Sequence, residues 1–83
     1  MVDNETLLKN TVAVVLGVSP GDINDDSSMD NLNEWDSVKH LNLVLAIEEV
    51  FGVSMTEEQS LEMLSFSLIK LILSEHAIDF SPT

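Results

Sequence analysis

The sequence predicts an all-α fold: a small four-helix bundle with three main helices, one short helix and a long loop after the first helix. In three stretches of the 83-residue chain, apolar residues recur at spacings of three and four, the repeat of a helix with one buried face. No stretch alternates apolar and polar residues as a half-buried strand does. Outside the first loop the connections are short, which favours antiparallel neighbours. We therefore expect a single domain over residues 1–83.

The first helix is predicted over residues 3–16. Asp3 and Glu5 stand in its first turn, where the helix dipole favours acids, and Gly17 is suited to end it. Its apolar positions are Leu8, Val12, Val15 and Leu16, with Leu7 and Val14 alongside.

The long loop covers residues 18–35 and begins with a turn at Ser19-Pro20-Gly21. A loop of this length is usually functional or is held by its own apolar side chains. We expect four such anchors: Ile23, Met29, Leu32 and Trp35.

The same loop resembles a calcium-binding loop only in its first part. Asp22, Asn24 and Asp26 have the spacing of the first three ligands of an EF-hand. Ser27 then stands where the turn glycine is needed, and Asn33 where the bidentate glutamate belongs. We therefore expect a solvated acidic loop and no metal site.

The second helix is predicted over residues 37–51, with Gly52 as its end. A spacing of three and four suggests which residues face the core: Val38, Leu41, Val44, Leu45, Ile47 or Glu48, and Phe51.

Two capping residues mark the remaining helices. Thr56 and Gln59 match a capping box, which predicts a short helix to about residue 62. Ser65 is suited to cap a last helix over 66–78. The inner face of that helix is predicted to contain Phe66, Ile69, Ile72 and Leu73, and residues 78–83 are expected to form a flexible tail.

Charge and composition limit the classes of function. Three Lys plus Arg against fifteen Asp plus Glu give a net charge of −12, which repels nucleic acid and favours basic patches on other proteins. The chain has no cysteine, so it forms neither a disulfide nor a thiolate zinc site. Its apolar runs are shorter than the roughly 20 residues of a membrane span, and its first residues do not resemble a signal peptide. We expect a cytoplasmic monomer.

The start of the second helix raises the question of function. Asp36 and Ser37 are both favoured helix caps. Ser37 and His40 share a helix face, as a nucleophile and base would, but so short a chain has little room for an orienting acid and an oxyanion site. We therefore expect no catalysis by the chain itself and a surface position for His40.

The stretch EWDSVKHLNLVLAIEEVFGVSMTEE, residues 34–58, resembles the acyl carrier protein family around its prosthetic-group serine. Asp36-Ser37-Val38 corresponds to the Asp-Ser-Leu of the family, and the segment from Glu48 to Gly52 to its Glu-Glu and Phe-Gly. The resemblance extends over nearly the whole chain, and implies a discrete carrier with an acyl-carrier fold.

The resemblance implies that a phosphopantetheinyl transferase attaches 4′-phosphopantetheine from coenzyme A to Ser37, beside Asp36, and that acyl groups travel on the arm as thioesters. The transferase would supply the base and Mg²⁺. Matching positions suggest an acyl pocket formed by Val38, Leu41, Val44, Leu45, Ile47, Phe51 and the apolar side of the last two helices. Partner enzymes with basic patches would meet Asp36, Glu48, Glu49, Glu57 and Glu58.

Several positions depart from the family. Lys39, His40 and Asn42 stand where typical fatty-acid carriers have acids, Val38 replaces the usual leucine, and Trp35 precedes the motif. We interpret Lys39 and His40 as partner-recognition residues of a specialised carrier for a lipid or secondary-metabolite pathway. Two alternatives remain: an aminoacyl or peptidyl carrier, and an unmodified acidic helical adaptor.

Overall fold

The structure, a computed structural model, describes residues 3–80, and within this range it is helical, as the sequence predicts. A 3-10 turn, Pro20–Asp22, lies in the long loop. The only strand-like pairing among the described residues is an isolated antiparallel bridge between Ser28 and Ser65. The helices are α1 (Asn4–Leu16), α2 (Ser37–Phe51), α3 (Glu57–Glu62) and α4 (Phe66–Glu75).

Asp3, which we expected in the first turn of α1, is its N-cap: it accepts the Thr6 N–H at 2.7 Å, and this hydrogen bond lowers the pKa of Asp3. The caps predicted for the other helix ends form. The Thr56–Gln59 capping box is complete at the start of α3. Gly17 and Gly52 end α1 and α2 with φ of 74° and 65°, a left-handed conformation that glycine adopts without strain.

The core lies where α1, α2 and α4 meet. The predicted inner face of α4 is confirmed, since all four of its residues are buried. On α1, Leu8, Val12 and Leu16 are buried as expected, whereas Val14 is 82% exposed. The whole buried apolar set is Leu8, Val12, Ala13, Leu16, Ile23, Trp35, Leu43, Ile47, Met63, Phe66, Ile69, Ile72 and Leu73.

The inner face predicted for α2 is partly wrong. Leu43 and Ile47 are the buried residues of this helix, and Val44 and Phe51 are half-buried against the core. Val38, Leu41 and Leu45, which the spacing placed inside, are exposed. Because α2 is apolar on nearly every side, a spacing of three and four fits more than one of its faces.

The four predicted loop anchors contact the core. Ile23 and Trp35 are buried, and Met29 and Leu32 are half-buried against the core. Two backbone hydrogen bonds join the loop to the start of α4: the Phe66 N–H donates to the Ser27 carbonyl at 2.8 Å, and the Met29 N–H donates to the Leu64 carbonyl at 3.2 Å.

Lys70 joins three parts of the molecule. From α4, its ammonium group contacts Glu5 of α1 at 2.6 Å and Asp25 of the loop at 2.7 Å, above the ring of Phe66. Partial burial alone would lower the pKa of Lys70, but hydrogen bonds to Asp25 and Glu5 outweigh it and raise that pKa.

The C-terminal segment differs from the prediction. α4 ends at Glu75 and does not continue to Ile78, because Ala77 takes a left-handed conformation with φ of 66°. Ile78 and Phe80 then pack against the core, and the Phe80 ring lies 6.4 Å from that of Phe51. The tail expected from Ile78 onward therefore contacts the domain as far as Phe80, and residues 81–83 lie outside the described range.

Within residues 3–80, none of the helices has the length and apolar character that crossing a bilayer requires.

Candidate functional site

Ser37 is the first residue of α2, and its side chain is exposed. The preceding residue, Asp36, is the N-cap: its Oδ1 accepts the Lys39 N–H at 2.8 Å, and its carbonyl accepts the His40 N–H at 2.8 Å. Asp36 therefore fixes the backbone on both sides of Ser37. The Ser37 hydroxyl makes no hydrogen bond to another residue of the described range.

The position favours a negatively charged group on this hydroxyl. At the start of a helix the first N–H groups have no partner within the helix, and Asp36 satisfies only those of Lys39 and His40. The N–H groups of Ser37 and Val38 are left for another acceptor. The positive end of the dipole of a 15-residue helix adds to this field. A phosphate ester on Ser37 would therefore be stabilised.

Several other serines are held by hydrogen bonds, whereas Ser19 and Ser54 are exposed like Ser37. Ser27 is buried and accepts the Asn24 N–H, and Ser65 caps α4 by accepting the Leu68 N–H. The hydroxyl of Ser60 donates to a backbone carbonyl of its own helix. These hydroxyls stabilise local structure, whereas that of Ser37 is open to an incoming reagent.

His40, which we expected on the surface, is half-buried, and so is Lys39. The Lys39 ammonium group donates to the Val15 carbonyl of α1 at 3.3 Å. The His40 ring contacts Trp35 and Ser60 through its two nitrogens. Polar atoms of both side chains thus have partners inside the molecule, and partner recognition by Lys39 and His40 stays a prediction.

Sequence reasoning missed this arrangement of Trp35, His40 and Ser60, although one signal was present. His40, Leu43, Ile47 and Phe51 are spaced by three, four and four, so a histidine occupies the first position of the face that is buried. A polar ring on such a face needs hydrogen-bond partners inside the protein.

The predicted acidic recognition residues have different surroundings. Asp36 caps α2, and Glu48 accepts the Met55 N–H at 2.7 Å, which ties the end of α2 to the following loop. Glu49 is exposed, as are Glu57 and Glu58 in the first turn of α3. The last three are free to meet a partner without loss of an internal contact.

An exposed apolar stripe runs along α2 beside Ser37. We call Val38, Leu41 and Leu45 the α2 stripe; each is between 64% and 68% exposed. Their spacing of three and four places them on one side of the helix. Three of the predicted acyl-pocket residues are thus on the surface, while Val44, Ile47 and Phe51 face the core.

A shallow apolar groove of about 310 Å³ lies elsewhere, between α1 and α2. None of the predicted pocket residues lines it; its walls are Asn10, Thr11, Val14, Val15, Ala46 and Val50.

The loop that resembles a calcium site uses its polar groups internally. The Asn24 side-chain oxygen accepts the Asp26 N–H at 2.8 Å, and the Asp26 carbonyl accepts from Asn31. Among residues 3–80, no group of histidines and acids is arranged to hold a metal ion.

Comparison with protein families identifies the family. The family model described as a phosphopantetheine attachment site matches residues 6–65, well over half of the chain. This range contains Asp36, Ser37 and the whole of α2 and α3. Domains of this family bear covalently attached 4′-phosphopantetheine and are carriers without catalytic activity of their own. They act with a phosphopantetheinyl transferase and with the enzymes that process the cargo. The chain therefore belongs to the phosphopantetheine attachment site family, and it is a phosphopantetheine carrier.

Proposed function

We propose that Ser37 bears the arm, and that the protein carries acyl groups on it as thioesters between enzymes of fatty-acid, lipid or secondary-metabolite synthesis. The observation that carries this proposal is the exposed Ser37 hydroxyl at the positive end of α2, without an internal hydrogen bond in the described range. The residues present fit the group, because a phosphodiester there would meet the free N–H groups of Ser37 and Val38.

In the attachment step, the Ser37 oxygen attacks the pyrophosphate of coenzyme A. A new oxygen–phosphorus bond forms, the bond to the nucleotide half breaks, and the nucleotide leaves. The hydroxyl proton passes to a base of the transferase, since no side chain of the described range is hydrogen-bonded to Ser37. Asp36 contributes by holding the start of α2 in place through its bond to the Lys39 N–H. Once attached, the arm supplies the thiol that this cysteine-free chain lacks.

We propose that the α2 stripe and the nearby acids form the partner surface. Three exposed aliphatic side chains next to the attachment point would bury apolar area against an enzyme. The exposed carboxylates of Glu49, Glu57 and Glu58 would meet basic patches. Such charged contacts speed association more than they strengthen the complex, which suits a carrier that visits several enzymes.

The acyl pocket is proposed to use the residues of α2 that face the core. Val44, Ile47 and Phe51 remain candidates, together with the apolar side of α4. Met63 lies among them, and the flexible side chain of methionine adapts to a guest more easily than a rigid ring.

We also propose that the protein acts as a monomer in the cytoplasm. A net charge of −12 opposes self-association, and the absence of cysteine suits a reducing compartment. Sedimentation equilibrium of the purified protein tests the first part, and a dimer at micromolar concentration would contradict it.

Intact-mass measurement tests the attachment site. The apo protein is incubated with coenzyme A, Mg²⁺ and a promiscuous phosphopantetheinyl transferase. We expect a gain of one phosphopantetheine in the wild type and none in Ser37→Ala. Ser54→Ala is the matched control, because Ser54 is also exposed and lies within the matched range; it should be modified like the wild type. A modified Ser37→Ala, or an unmodified but folded wild type, would contradict the proposal.

A further inference from the structure

Three groups form a continuous chain of hydrogen bonds at the end of the bundle that presents Ser37. The indole N–H of Trp35, a residue only 2% exposed, donates to Nδ1 of His40 at 3.1 Å. The other ring nitrogen of His40, Nε2, lies 2.7 Å from the Ser60 carbonyl of α3. Because a carbonyl only accepts and the indole only donates, His40 must be the neutral tautomer with its proton on Nε2. The two rings are also stacked, with centroids 6.2 Å apart.

The hydrogen bond between Trp35 and His40 joins residues on either side of Ser37. Trp35 lies two residues before Ser37 and His40 three residues after it, so their bond fixes the backbone on both sides. Ser60 belongs to α3, which has no fully buried residue of its own. The described side-chain links that hold α3 to other helices are those of His40 and of His76, whose Nε2 lies 3.0 Å from the Gln59 oxygen.

We propose that His40 is a positioning residue for Ser37 and a proton-sensitive clasp that ties Trp35 and α3 to the start of α2. The positioning part rests on the proposed function, because it concerns the presentation of the Ser37 hydroxyl. The clasp itself is a property of the apo fold and stands without it.

Protonation affects the two histidines differently. A second proton on His40 goes to Nδ1. Two N–H donors then face each other, and the buried indole N–H of Trp35 loses its hydrogen-bond acceptor. The bond to Ser60 survives, because Nε2 still donates. At His76 the nitrogen that faces Gln59 remains a donor in the imidazolium, so this link survives as well. Acidification therefore acts on the Trp35–His40 bond.

The charged neighbours do not form an ion pair with His40. Both ion pairs among the described residues belong to Lys70. Lys39, next to His40 on α2, is directed to α1, and His76, which follows the last residue of α4, is directed to Gln59. The acids next to Trp35 in the sequence, Glu34 and Asp36, are exposed, and so are the acids of α3: Glu57, Glu58 and Glu62.

Tryptophan fluorescence tests the clasp directly, because Trp35 is the only tryptophan and the chain has no tyrosine. The apo protein is titrated from pH 8 to pH 5, where imidazole ordinarily changes charge. We expect the emission of Trp35 to change in one protonation step. His40→Gln offers a neutral acceptor and donor that do not titrate, and should abolish the step. His76→Gln, the matched control at the only other histidine, should keep it. A step that persists in His40→Gln, or disappears in His76→Gln, would overturn the proposal.

Nitrogen chemical shifts of the histidine rings in the wild type give a second test that needs no variant. We expect the His40 Nδ1 to have the shift of an unprotonated acceptor and Nε2 that of a protonated nitrogen at pH 7.5. The opposite tautomer would overturn the proposal. Amide exchange around Trp35 and Ser37, compared as protection factors, should accelerate about tenfold on loss of the Trp35–His40 bond, the factor that one hydrogen bond of a buried group represents. Exchange in α3 should change less, because the His40–Ser60 bond survives protonation.

The positioning role is tested by the rate of arm attachment. His40→Leu, which can neither accept nor donate, should lower the kcat/KM of the transferase for this protein about tenfold. His40→Gln should restore most of that loss, and His76→Gln should leave kcat/KM unchanged. A His40→Leu variant with unchanged kcat/KM would contradict positioning even if the fluorescence step were lost. If the wild type accepted no arm, the proposed function would fail, while the fluorescence result would still decide on the clasp.

Discussion

Replacing Leu43 by alanine should destabilise the protein far more than the same replacement at Leu41, two residues away on the same helix. Leu43 is 0% exposed and packs in the core, whereas Leu41 is 68% exposed on the α2 stripe. The sequence alone predicts the reverse, since its helical spacing placed Leu41 inside and omitted Leu43. The pair therefore tests the orientation of α2, which decides what surrounds the proposed attachment point, Ser37.

The magnitude follows from burial. Leucine to alanine at a fully buried site costs about 3 kcal/mol or more, from lost transfer free energy and the cavity left behind. At an exposed site the cost is within about 0.5 kcal/mol. A domain of this size has a total stability of only about 4–12 kcal/mol. Leu43→Ala should therefore lower Tm by about 12–24 °C, and Leu41→Ala by about 4 °C at most.

Circular dichroism at 222 nm during thermal and urea unfolding measures both variants under identical conditions. The unfolding free energy should fall with urea concentration at the same slope in both variants. The midpoints of the two unfolding curves can then be compared as differences in stability. Equal destabilisation by the two variants, or a larger effect of Leu41→Ala, would refute this orientation of α2. With the arm attached, Leu41→Ala should instead slow transfer to a partner enzyme without loss of fold.

Three further changes test other parts of the structure. The double variant Lys39→Glu with His40→Glu should lose about 1–3 kcal/mol in urea unfolding, because carboxylates replace groups that satisfy internal partners; unchanged stability would contradict the inward positions of both side chains. Lys70→Met should cost about 1 kcal/mol. Because the pKa of Lys70 is raised, its stabilisation is complete below its ordinary value of 10.5 and disappears as pH rises through the raised value, so the two stability curves should converge there. A convergence at neutral pH would contradict this. Truncation after Ala77 should lower Tm by several degrees, because it removes the half-buried side chains of Ile78 and Phe80. An unchanged Tm would contradict their packing and would support a flexible tail from residue 78.

Much of the fold follows from local rules that the sequence displays. The ends of α1 and α2 are predicted correctly because Gly17 and Gly52 are glycines in left-handed positions. The start of α3 is predicted because Thr56 and Gln59 have the spacing of a capping box. The end of α4 is not, because Ala77 takes the left-handed conformation without a glycine to mark it.

The site is predictable in its chemistry and less so in its packing. The residue types of Asp36 and Ser37 predict a helix cap followed by an exposed first helical residue, and the structure has both. The orientation of α2 depends on tertiary contacts, because the apolar residues of this helix lie on nearly all of its sides. The decisive contact is made by His40, whose polar ring sequence reasoning assigns to the surface and whose partners, Trp35 and Ser60, become neighbours only in the folded chain.

Localising the arm by tandem mass spectrometry tests the central claim most directly. Protein purified from its own host is cleaved after lysine, and cuts at Lys9 and Lys39 release the peptide 10–39, in which Ser37 has three competing serines. Fragmentation should place one phosphopantetheine on Ser37. A phosphopantetheine on Ser19, Ser27 or Ser28, or a chain that its host leaves wholly unmodified, would contradict the account.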